Sequence, residues 1–329
     1  MRVVFFGSSS ISCAVLGHLL GSSHELVAVV TQPDTPSGRR MEYKPTPVCM
    51  DVTPLGIPVF KPEKLANNRE LRSELAALEP DALLVVSYGK IIPKSLLKLT
   101  DWPINVHPSD LPRLRGASPV RTALLLGLES TAVCIMKMTP RLDDGDIMLR
   151  EPYEISRDIS YGKLELELGL IGGRLAVDAL DSIAAGTVSL SPQDDDDATY
   201  CRTFDRRDTE IDWSTSAKKI ESFVRAWDPD MGAYTLLDDN RRLKIWRVSI
   251  ESPPEDILPQ IPADAQPGQV LSFGRRVIWV MTGDGVVAIE ELQPDNKKRM
   301  PTASWLAGNT IEPGQSFVPC SQGGRCFEE

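Results

Sequence analysis

The sequence lacks a long hydrophobic run, a closely spaced pair of cysteines and a complete dinucleotide-binding motif. No stretch reaches the roughly 18 uninterrupted apolar residues of a membrane-spanning helix. The apolar opening RVVFF is too short for the central region of a signal peptide. None of the six cysteines has a partner at the two-residue spacing of a zinc knuckle. These absences predict a soluble cytoplasmic protein with reduced thiols and no metal.

The chain is acidic overall, contains few histidines and has a single glycine in the turn after its first apolar run. The net charge is −10, and the chain has only three histidines. Because an acidic chain repels polyanions, any nucleic acid must bind through a local basic face. The turn GSSS after the first apolar run has one glycine, whereas a G-x-G-x-x-G motif has three, so a nicotinamide cofactor is not expected. The turn could hold an anion on its amides or simply cap a helix.

The apolar pattern up to about residue 190 predicts a doubly wound α/β domain. Short continuous apolar runs alternate with segments of helical periodicity, which favours a mostly parallel sheet covered on both faces. The predicted strands are RVVFF, LVAVVT, ALLVV, PINVH and AVCIMKM, and the predicted helices cover roughly 11–20, 68–78, 120–127 and 161–185. Ligands of such sheets bind at the carboxyl ends of the strands.

The pattern changes after this domain. Residues 191–204 contain four consecutive aspartates beside Ser-Pro, which predicts a solvated acidic linker. Residues 205–312 contain one helical segment, TSAKKIESFVRAW, and several short β-like runs, which favour a small β-barrel. Residues 313–329, with Cys320 and Cys326, are expected to form a flexible tail, in which a disulfide or a metal is the alternative.

Two polar side chains end the run PINVH. The alternation of a strand places Asn105 and His107 on the same side. An amide can donate a hydrogen bond to a developing oxyanion, and an imidazole exchanges protons near neutral pH. Taken alone, the pair fits a structural role equally well. His18, within a predicted helix, and His24, before a predicted strand, are expected to be structural.

A second polar motif, LDDGD, follows the run AVCIMKM and includes Asp143 as its first aspartate. An acidic turn at a strand end could orient and charge an imidazole, although a solvated Asp-Gly turn is the ordinary interpretation. The two motifs together favour a catalytic interpretation over a structural one.

The motifs N-x-H-x-S, LP-x-x-RGA-x-P and LD-x-GD resemble those of the 10-formyltetrahydrofolate-dependent formyltransferase family. In detail the chain is similar to the methionyl-tRNA formyltransferase family over nearly its whole length, including QPDTPSGR, VSYGKIIP, VRAWDPDMGAYT and LQPDNKKRMPTASWLAG. The resemblance implies a Rossmann-like formyltransferase domain over 1–190 and an OB-like tRNA-binding domain over 205–312. It implies formyl transfer from 10-formyltetrahydrofolate to the α-amino group of methionyl initiator tRNA, without a metal. We expect a monomer.

The family's functional residues are carried over onto matching positions of this sequence. The resemblance implies that Asn105, His107 and Asp143 are catalytic, and it gives Asp144 and Asp146 no catalytic role. The folate-binding positions that it implies are Ser87, Tyr88, Gly89, Ile91, Pro93, Ser109, Leu111 and Pro112. The tRNA-binding positions are Arg39, Arg40, Lys44, Arg206, Lys297, Lys298 and Arg299.

Four departures from the family pattern and three other functions remain open. GSSSI replaces G-T-P-x-F, GRRMEYK replaces G-R-G-x-K, and Asp110 replaces a usual leucine. In the second domain, the residues 228–231 read DPDM where Asn-Pro-Trp-Pro is usual. The same catalytic residues could serve transfer to a small amine or hydrolysis that releases formate. A catalytically inactive RNA-binding protein is the alternative from another class. The barrel and the loop over 32–44 favour the tRNA substrate, because a small substrate needs neither.

Overall fold

The structure is a computed structural model that describes residues 1–37, 42–237, 241–250, 261–262, 264–273 and 276–318. The chain divides into two compact units. The first comprises Met1–Val120, Glu129–Ile155 and Lys163–Arg202, and the second comprises Arg121–Leu128, Ser156–Gly162 and Thr203–Glu329. Two short pieces of the N-terminal half therefore belong with the second unit. The domain bounds expected from the sequence stay a prediction.

The elements up to residue 202 follow the predicted alternation. The strands are β1 (Arg2–Gly7), β2 (Glu25–Val30), β3 (Thr35–Ser37), β4 (Glu42–Lys44), β5 (Val59–Phe60), β6 (Ala82–Val86), β7 (Trp102–His107), β8 (Arg115–Gly116), β9 (Ser130–Lys137), β10 (Ile147–Glu154) and β11 (Tyr200–Cys201). The helices are α1 (Ser10–Leu20), α2 (Pro47–Val52), α3 (Arg69–Ala77), α4 (Lys94–Leu97), α5 (Pro119–Leu125) and α6 (Tyr161–Ala185). All five predicted strands are present within two residues of their expected bounds.

The main sheet of the first unit has the strand order β10-β9-β7-β6-β1-β2-β5. The five strands from β7 to β5 are parallel, whereas β9 and β10 run antiparallel to their neighbours. The central strands are buried because their side chains are apolar on both faces. The prediction of a doubly wound, mostly parallel sheet is confirmed.

Glycines allow α6 to approach the sheet closely. A Cβ atom at Gly172 would lie 2.6 Å from Val106 of β7, and one at Gly169 would lie 3.0 Å from Ile11 of α1. Helix α6 therefore covers one face of the sheet behind β7. His18, in α1, contacts Gly173 of α6, and its Nδ1 is hydrogen-bonded to the carbonyl oxygen of Ala14. Both contacts are structural.

The second unit is a nearly closed antiparallel barrel. Its elements are α7 (Ala217–Ala226), β12 (Ala233–Leu237), β13 (Arg242–Ser249), β14 (Val270–Phe273), β15 (Ile278–Met281), β16 (Val286–Pro294), β17 (Met300–Pro301), α8 (Thr302–Leu306) and β18 (Phe317–Val318). The strand order is β14-β15-β16-β13-β12-β18, with β17 paired to β16. An antiparallel bridge between Gln269 and Ser316 joins the two ends of this order. The predicted barrel after the parallel sheet is confirmed.

Apolar side chains from strands and α7 fill the barrel core, with Trp227 fully buried. The Arg121 guanidinium donates to the carbonyl of Ala226 and to Asp230, and it stacks on Trp227 and Tyr161. These contacts explain why the piece around Arg121 belongs with this unit.

The segments expected to form a linker and a tail make specific contacts in their described parts, and their expected character stays a prediction. The supposed solvated linker makes specific contacts: Tyr200–Cys201 pairs with Arg115–Gly116, and Asp195 forms an ion pair with Arg115. The supposed flexible tail begins with an ordered part, because Phe317 stacks on Trp213 and β18 pairs with β12. Both segments are rich in polar residues, and strand pairing together with a few side chains anchors their described parts. Cys320 and Cys326 lie outside the described residues.

Candidate active site

Asn105 and His107 lie at the carboxyl end of β7, next to the parallel strand β6. Both residues are buried, with 9% and 3% of their surface exposed. A buried amide and a buried imidazole each need polar partners, since an unsatisfied polar group costs roughly 1–3 kcal/mol. Those partners come from the loops that follow β7 and β9.

The backbone fixes the ring of His107. Its Nε2 lies 3.0 Å from the carbonyl oxygen of Leu114. Because a carbonyl oxygen only accepts, Nε2 must carry a proton and donate it. The other ring nitrogen, Nδ1, lies 3.8 Å from Oδ2 of Asp143. This separation exceeds a hydrogen bond, so Nδ1 is the nitrogen that can exchange a proton with a bound molecule.

The carboxylate of Asp143 connects the polar groups of the site. Oδ1 accepts a 3.5 Å hydrogen bond from the Asn105 amide, and Oδ2 accepts a 2.9 Å bond from the backbone N–H of Gly116. Asp143 has a φ of 48°, in the left-handed region that few side chains adopt. The loop after the antiparallel strand β9 thus turns back and places one carboxylate against Asn105, His107 and Gly116.

Two glycines allow this arrangement. A Cβ atom at Gly145 would lie 1.6 Å from the carbonyl oxygen of Lys137, so no side chain fits there. Gly116 has a φ of +117°, and a Cβ atom on it would lie 2.4 Å from the carbonyl oxygen of Cys201. Both positions require the backbone itself to come close. Sequence reasoning missed Gly116 as a site residue, although the RGA motif contains it.

The acidic residues beside Asp143 have other roles. Asp144 accepts a hydrogen bond from Thr139 and pairs with Arg141, and only 4% of its side chain is exposed. Asp110, which replaces a leucine of the family pattern, pairs with Arg150. Each of these acids is compensated by an arginine.

The expected folate positions follow the neighbouring strands β6 and β7. Ser87, Gly89 and Ile91 are exposed, and Ile91 has 86% of its surface open. Pro93 and Pro112 are half-buried. The remaining three are buried and already have structural contacts: Tyr88 packs its ring against Phe6, Ser109 donates to the carbonyl of Arg113, and Leu111 packs with Cys134 and Met136.

The buried position of Tyr88 also affects its hydroxyl. Burial raises the pKa of Tyr88 to about 12. Gln32 donates to the backbone carbonyl of Tyr88, and a Cβ atom at Gly89 would lie 2.6 Å from that same Gln32 amide. Thus the turn after β6 is held by its backbone, while Ile91 projects outward from it.

The expected tRNA positions that the structure describes fall in both units of the chain. Arg39 and Arg40 lie outside the described residues. Lys44 is exposed on β4, which pairs with β3. Three more are in the second unit and exposed: Arg206, Lys297 and Lys298. Arg299 instead pairs with Asp228 and, at 2.6 Å, with Glu291, so its guanidinium stabilises the barrel.

Metal-binding groups, membrane-spanning helices and disulfides were sought in the described ranges outside this site. In those ranges no three His, Cys, Asp or Glu side chains come together as a metal-binding group. None of the described helices is long and apolar enough to span a bilayer. Cys13, Cys49, Cys134 and Cys201 are in the reduced thiol form. Burial, followed by the neighbouring Asp51, raises the pKa of Cys13 to about 12.

A parallel sheet with Asn, His and Asp at one edge, followed by an antiparallel barrel, matches a known family. The family model described as formyl transferase matches residues 1–180, and the model of the formyl transferase C-terminal domain matches residues 204–310. The chain belongs to the formyl transferase family.

Among its relatives is the methionyl-tRNA formyltransferase of Citrifermentans bemidjiense. The two sequences are 38% identical over an alignment that covers 95% of each chain. The methionyl-tRNA formyltransferase of Clostridium thermocellum has a similar fold, with a TM-score of 0.52, 17% identity, and coverage of 76% of this chain and 94% of that one. HypX from Aquifex aeolicus, solved in complex with tetrahydrofolic acid, has a TM-score of 0.62 and 17% identity, covering 94% of this chain and 47% of that longer one.

Proposed function

We propose that this protein transfers the formyl group of 10-formyltetrahydrofolate to the α-amino group of methionyl initiator tRNA. The supporting observation is the convergence of Asn105, His107 and Asp143 at the carboxyl edge of the sheet. The full-length similarity to methionyl-tRNA formyltransferases supports the choice of amine. As proposed, the protein works as a monomer in the cytoplasm.

Bound folate supplies an electrophilic formyl carbon attached to nitrogen. The amine nitrogen forms a bond to that carbon, the bond from carbon to the folate nitrogen breaks, and the amine proton passes to the folate nitrogen. The Asn105 amide, whose bond to Asp143 is long at 3.5 Å, donates instead to the formyl oxygen as negative charge develops there. This donor is buried, with 9% of Asn105 exposed, so developing charge beside it is screened less than at the protein surface.

His107 supplies the second donor through Nδ1. Its Nε2 proton is committed to Leu114, so a proton on Nδ1 makes the ring an imidazolium. Asp143, 3.8 Å away, stabilises that positive charge. Apo sites often have long catalytic contacts that shorten when substrate binds. His107 therefore donates a hydrogen bond from Nδ1 to the formyl oxygen and keeps its proton, while the Asp143 carboxylate lies 3.8 Å from the ring nitrogen.

The exposed turn after β6 fits the folate. Gly89, with a φ of +77°, presents backbone without a side chain, and Ile91 presents an apolar surface to one side. A flat heteroaromatic ring needs both, because it stacks on apolar groups and hydrogen-bonds at its edge. Ser87 and Pro93 complete this surface. Tyr88 packs beneath it against Phe6, whereas Ser109 and Leu111 make their contacts in the loop after β7 and with β9.

The second unit provides a local basic surface for RNA. Burial, then the positive charges of Arg242 and Arg206, lower the pKa of Lys244. Arg242 and Arg206 therefore each lie within electrostatic reach of Lys244, as do the carboxylates of Asp295 and Asp230. Lys297 and Lys298 add two exposed cations at the turn between β16 and β17. Phosphate contacts of this kind position RNA without reading its sequence. The proposed tRNA contacts also include Arg39 and Arg40, in the segment 32–44.

The test is an assay of formyl transfer to charged initiator tRNA, beside a glycinamide ribonucleotide and an amino sugar. We expect product only with the charged tRNA. Faster transfer to either small amine would contradict the substrate, and formate release without any acceptor would indicate a hydrolase. Binding of tRNA with no chemistry at all would indicate a noncatalytic RNA-binding protein.

A further inference from the structure

Gln193, in the acidic segment after α6, contacts the turn that contains Asp143. Its Nε2 donates to the carbonyl oxygens of Asp143 at 2.9 Å and Gly145 at 2.7 Å. Its Oε1 accepts a 3.0 Å bond from Nε of Arg115. One side chain thus joins the Asp143 turn to the loop that follows His107.

The contacts also define the orientation of the Gln193 amide. The carbonyl oxygens of Asp143 and Gly145 can only accept, and the Arg115 Nε can only donate. The reverse orientation would place an oxygen against two carbonyls and an NH₂ group against a donor. The amide therefore makes three matched hydrogen bonds, and none would survive replacement by an apolar side chain.

Arg115 is itself held firmly. Only 2% of its side chain is exposed, and its guanidinium donates to Asp195 at 2.8 Å and to the Tyr200 hydroxyl at 3.4 Å. Burial disfavours its charge, but the bonds to Asp195 and Tyr200 outweigh burial and raise the pKa of Arg115. Gln193 is therefore anchored to a buried, permanently charged group.

Asp143 is held both at its side chain and at its backbone. Gly116, directly after Arg115, donates its N–H to the carboxylate, while Gln193 bonds the backbone carbonyl. The other polar contacts of the carboxylate are long, at 3.5 and 3.8 Å. Asp143 also adopts a left-handed backbone, which persists only where the surroundings enforce it. Without Gln193, the turn loses the side chain that enforces its conformation.

We propose that Gln193 is a positioning residue, which keeps the Asp143 carboxylate beside Asn105 and His107. This inference rests on the proposed function, in which Asp143 is catalytic. Gln193 has no role in contacting substrate. It acts through the backbone of Asp143, and a misplacement of about 1 Å can cost a hundredfold in rate.

The first test is Gln193→Met, which retains length but removes all three bonds, with Gln266→Met as the matched control at an exposed position. We expect kcat to fall about tenfold to a hundredfold, with KM for both substrates unchanged and the control equal to wild type. A kcat within about twofold of wild type would overturn the proposal. Gln193→Glu keeps an acceptor for Arg115 but loses both donors, and it should show the same loss.

A double-mutant cycle separates positioning from general support of the fold. If Gln193 acts through Asp143, Gln193→Met should add almost no further loss in an Asp143→Asn background. Full multiplication of the two losses would overturn the proposal. Thermal unfolding of each variant shows whether the protein is folded.

A third measurement does not require the reaction. The chain has three histidines, so selective histidine labelling gives few NMR signals, and a His107→Asn variant assigns one set. Gln193→Met should move the His107 ring signals, while those of His18 and His24 stay in place. Unmoved His107 signals would contradict positioning even if transfer activity were lost. If wild-type protein formylates no methionyl-tRNA but the signals move, only the proposed function fails.

Discussion

The edge of the parallel sheet and the surface of the barrel use charge in opposite ways. At the sheet edge, the partly buried carboxylate of Asp143 faces an amide, an imidazole and a backbone N–H at defined distances. On the barrel, the cations Lys297 and Lys298 are exposed. Catalysis requires a few groups in exact places, since each acts at one developing charge. Polyanion binding requires a number of cations near a surface.

The difference also appears between neighbours in one run of basic residues. Lys297, Lys298 and Arg299 are consecutive, but Arg299 pairs with Asp228 and Glu291 and lies over the Trp246 ring. A cation that already has two carboxylate partners gains little from a phosphate. We therefore propose that the two lysines bind RNA, while the ion pairs of Arg299 support the barrel.

The largest expected effect concerns the carboxylate. Asp143→Asn keeps the side-chain shape but removes the negative charge that lies 3.8 Å from Nδ1 of His107. We expect transfer to fall by about a hundredfold or more, with folding unaffected. Single-turnover formyl transfer measures this directly.

The control is Asp196→Asn, in the exposed acidic segment, which should keep the wild-type rate. If Asp143→Asn retains more than about a tenth of the rate, the sheet edge does not work as described.

The next effect concerns the backbone that holds Asp143. Gly145→Ala would bring a Cβ atom within 1.6 Å of the Lys137 carbonyl, so the turn must shift. We expect kcat to fall about tenfold to a hundredfold. Gly17→Ala is the matched control. Gly17 lies within α1, and a Cβ atom added there would have no atom within 4 Å. The control should raise the free energy of unfolding by about 0.5–1 kcal/mol at unchanged activity. Wild-type kcat in Gly145→Ala would show that the turn tolerates displacement.

Much of the parallel sheet could be predicted from the sequence because its strands are continuous apolar runs. The strand ALLVV was predicted at its observed bounds, Ala82–Val86. The strand Ile147–Glu154 was missed, since alternate residues are exposed and several are charged. Strand direction was not predictable either, because no local pattern distinguishes an antiparallel β9 from a parallel one.

The candidate site was predictable in its side chains but not in its supports. Strand alternation predicted that Asn105 and His107 share a side, and the LDDGD motif indicated Asp143. Neither predicted that Leu114 fixes the imidazole through a carbonyl, because backbone acceptors have no sequence signature. Gln193 stands beside four aspartates, a composition typical of a solvated segment. Its contacts depend on Arg115, 78 residues earlier. The catalytic, folate and tRNA roles stay predictions.

A smaller effect is expected at the barrel surface. Replacing Lys297 and Lys298 together by alanine should weaken tRNA binding and flatten its salt dependence, by about one unit of log–log slope for each phosphate that is no longer neutralised. Titrations at several salt concentrations measure the slope. Replacing Lys94 and Lys98 of the first unit removes the same charge elsewhere and should leave the slope unchanged. An unchanged slope in the Lys297 and Lys298 variant would place the RNA on another surface.

The smallest effect distinguishes Arg299 from its neighbours. Arg299→Ala removes two partly exposed ion pairs, so the free energy of unfolding should fall by about 0.5–1 kcal/mol. The salt slope of tRNA binding should match that of wild type. Denaturant unfolding and the same binding titration test both statements. A flatter slope at full stability would mean that Arg299 contacts phosphate after all.

The most direct test of this division of roles is one steady-state comparison with methionyl initiator tRNA as acceptor. Wild type, Asp143→Asn and the variant lacking Lys297 and Lys298 are each assayed over a full range of tRNA concentration, with folate saturating. We predict that Asp143→Asn loses kcat with little change in the KM for tRNA, whereas the lysine variant has a raised KM for tRNA and keeps its kcat. Loss of kcat in the lysine variant, or weakened tRNA binding in Asp143→Asn with kcat intact, would contradict this division.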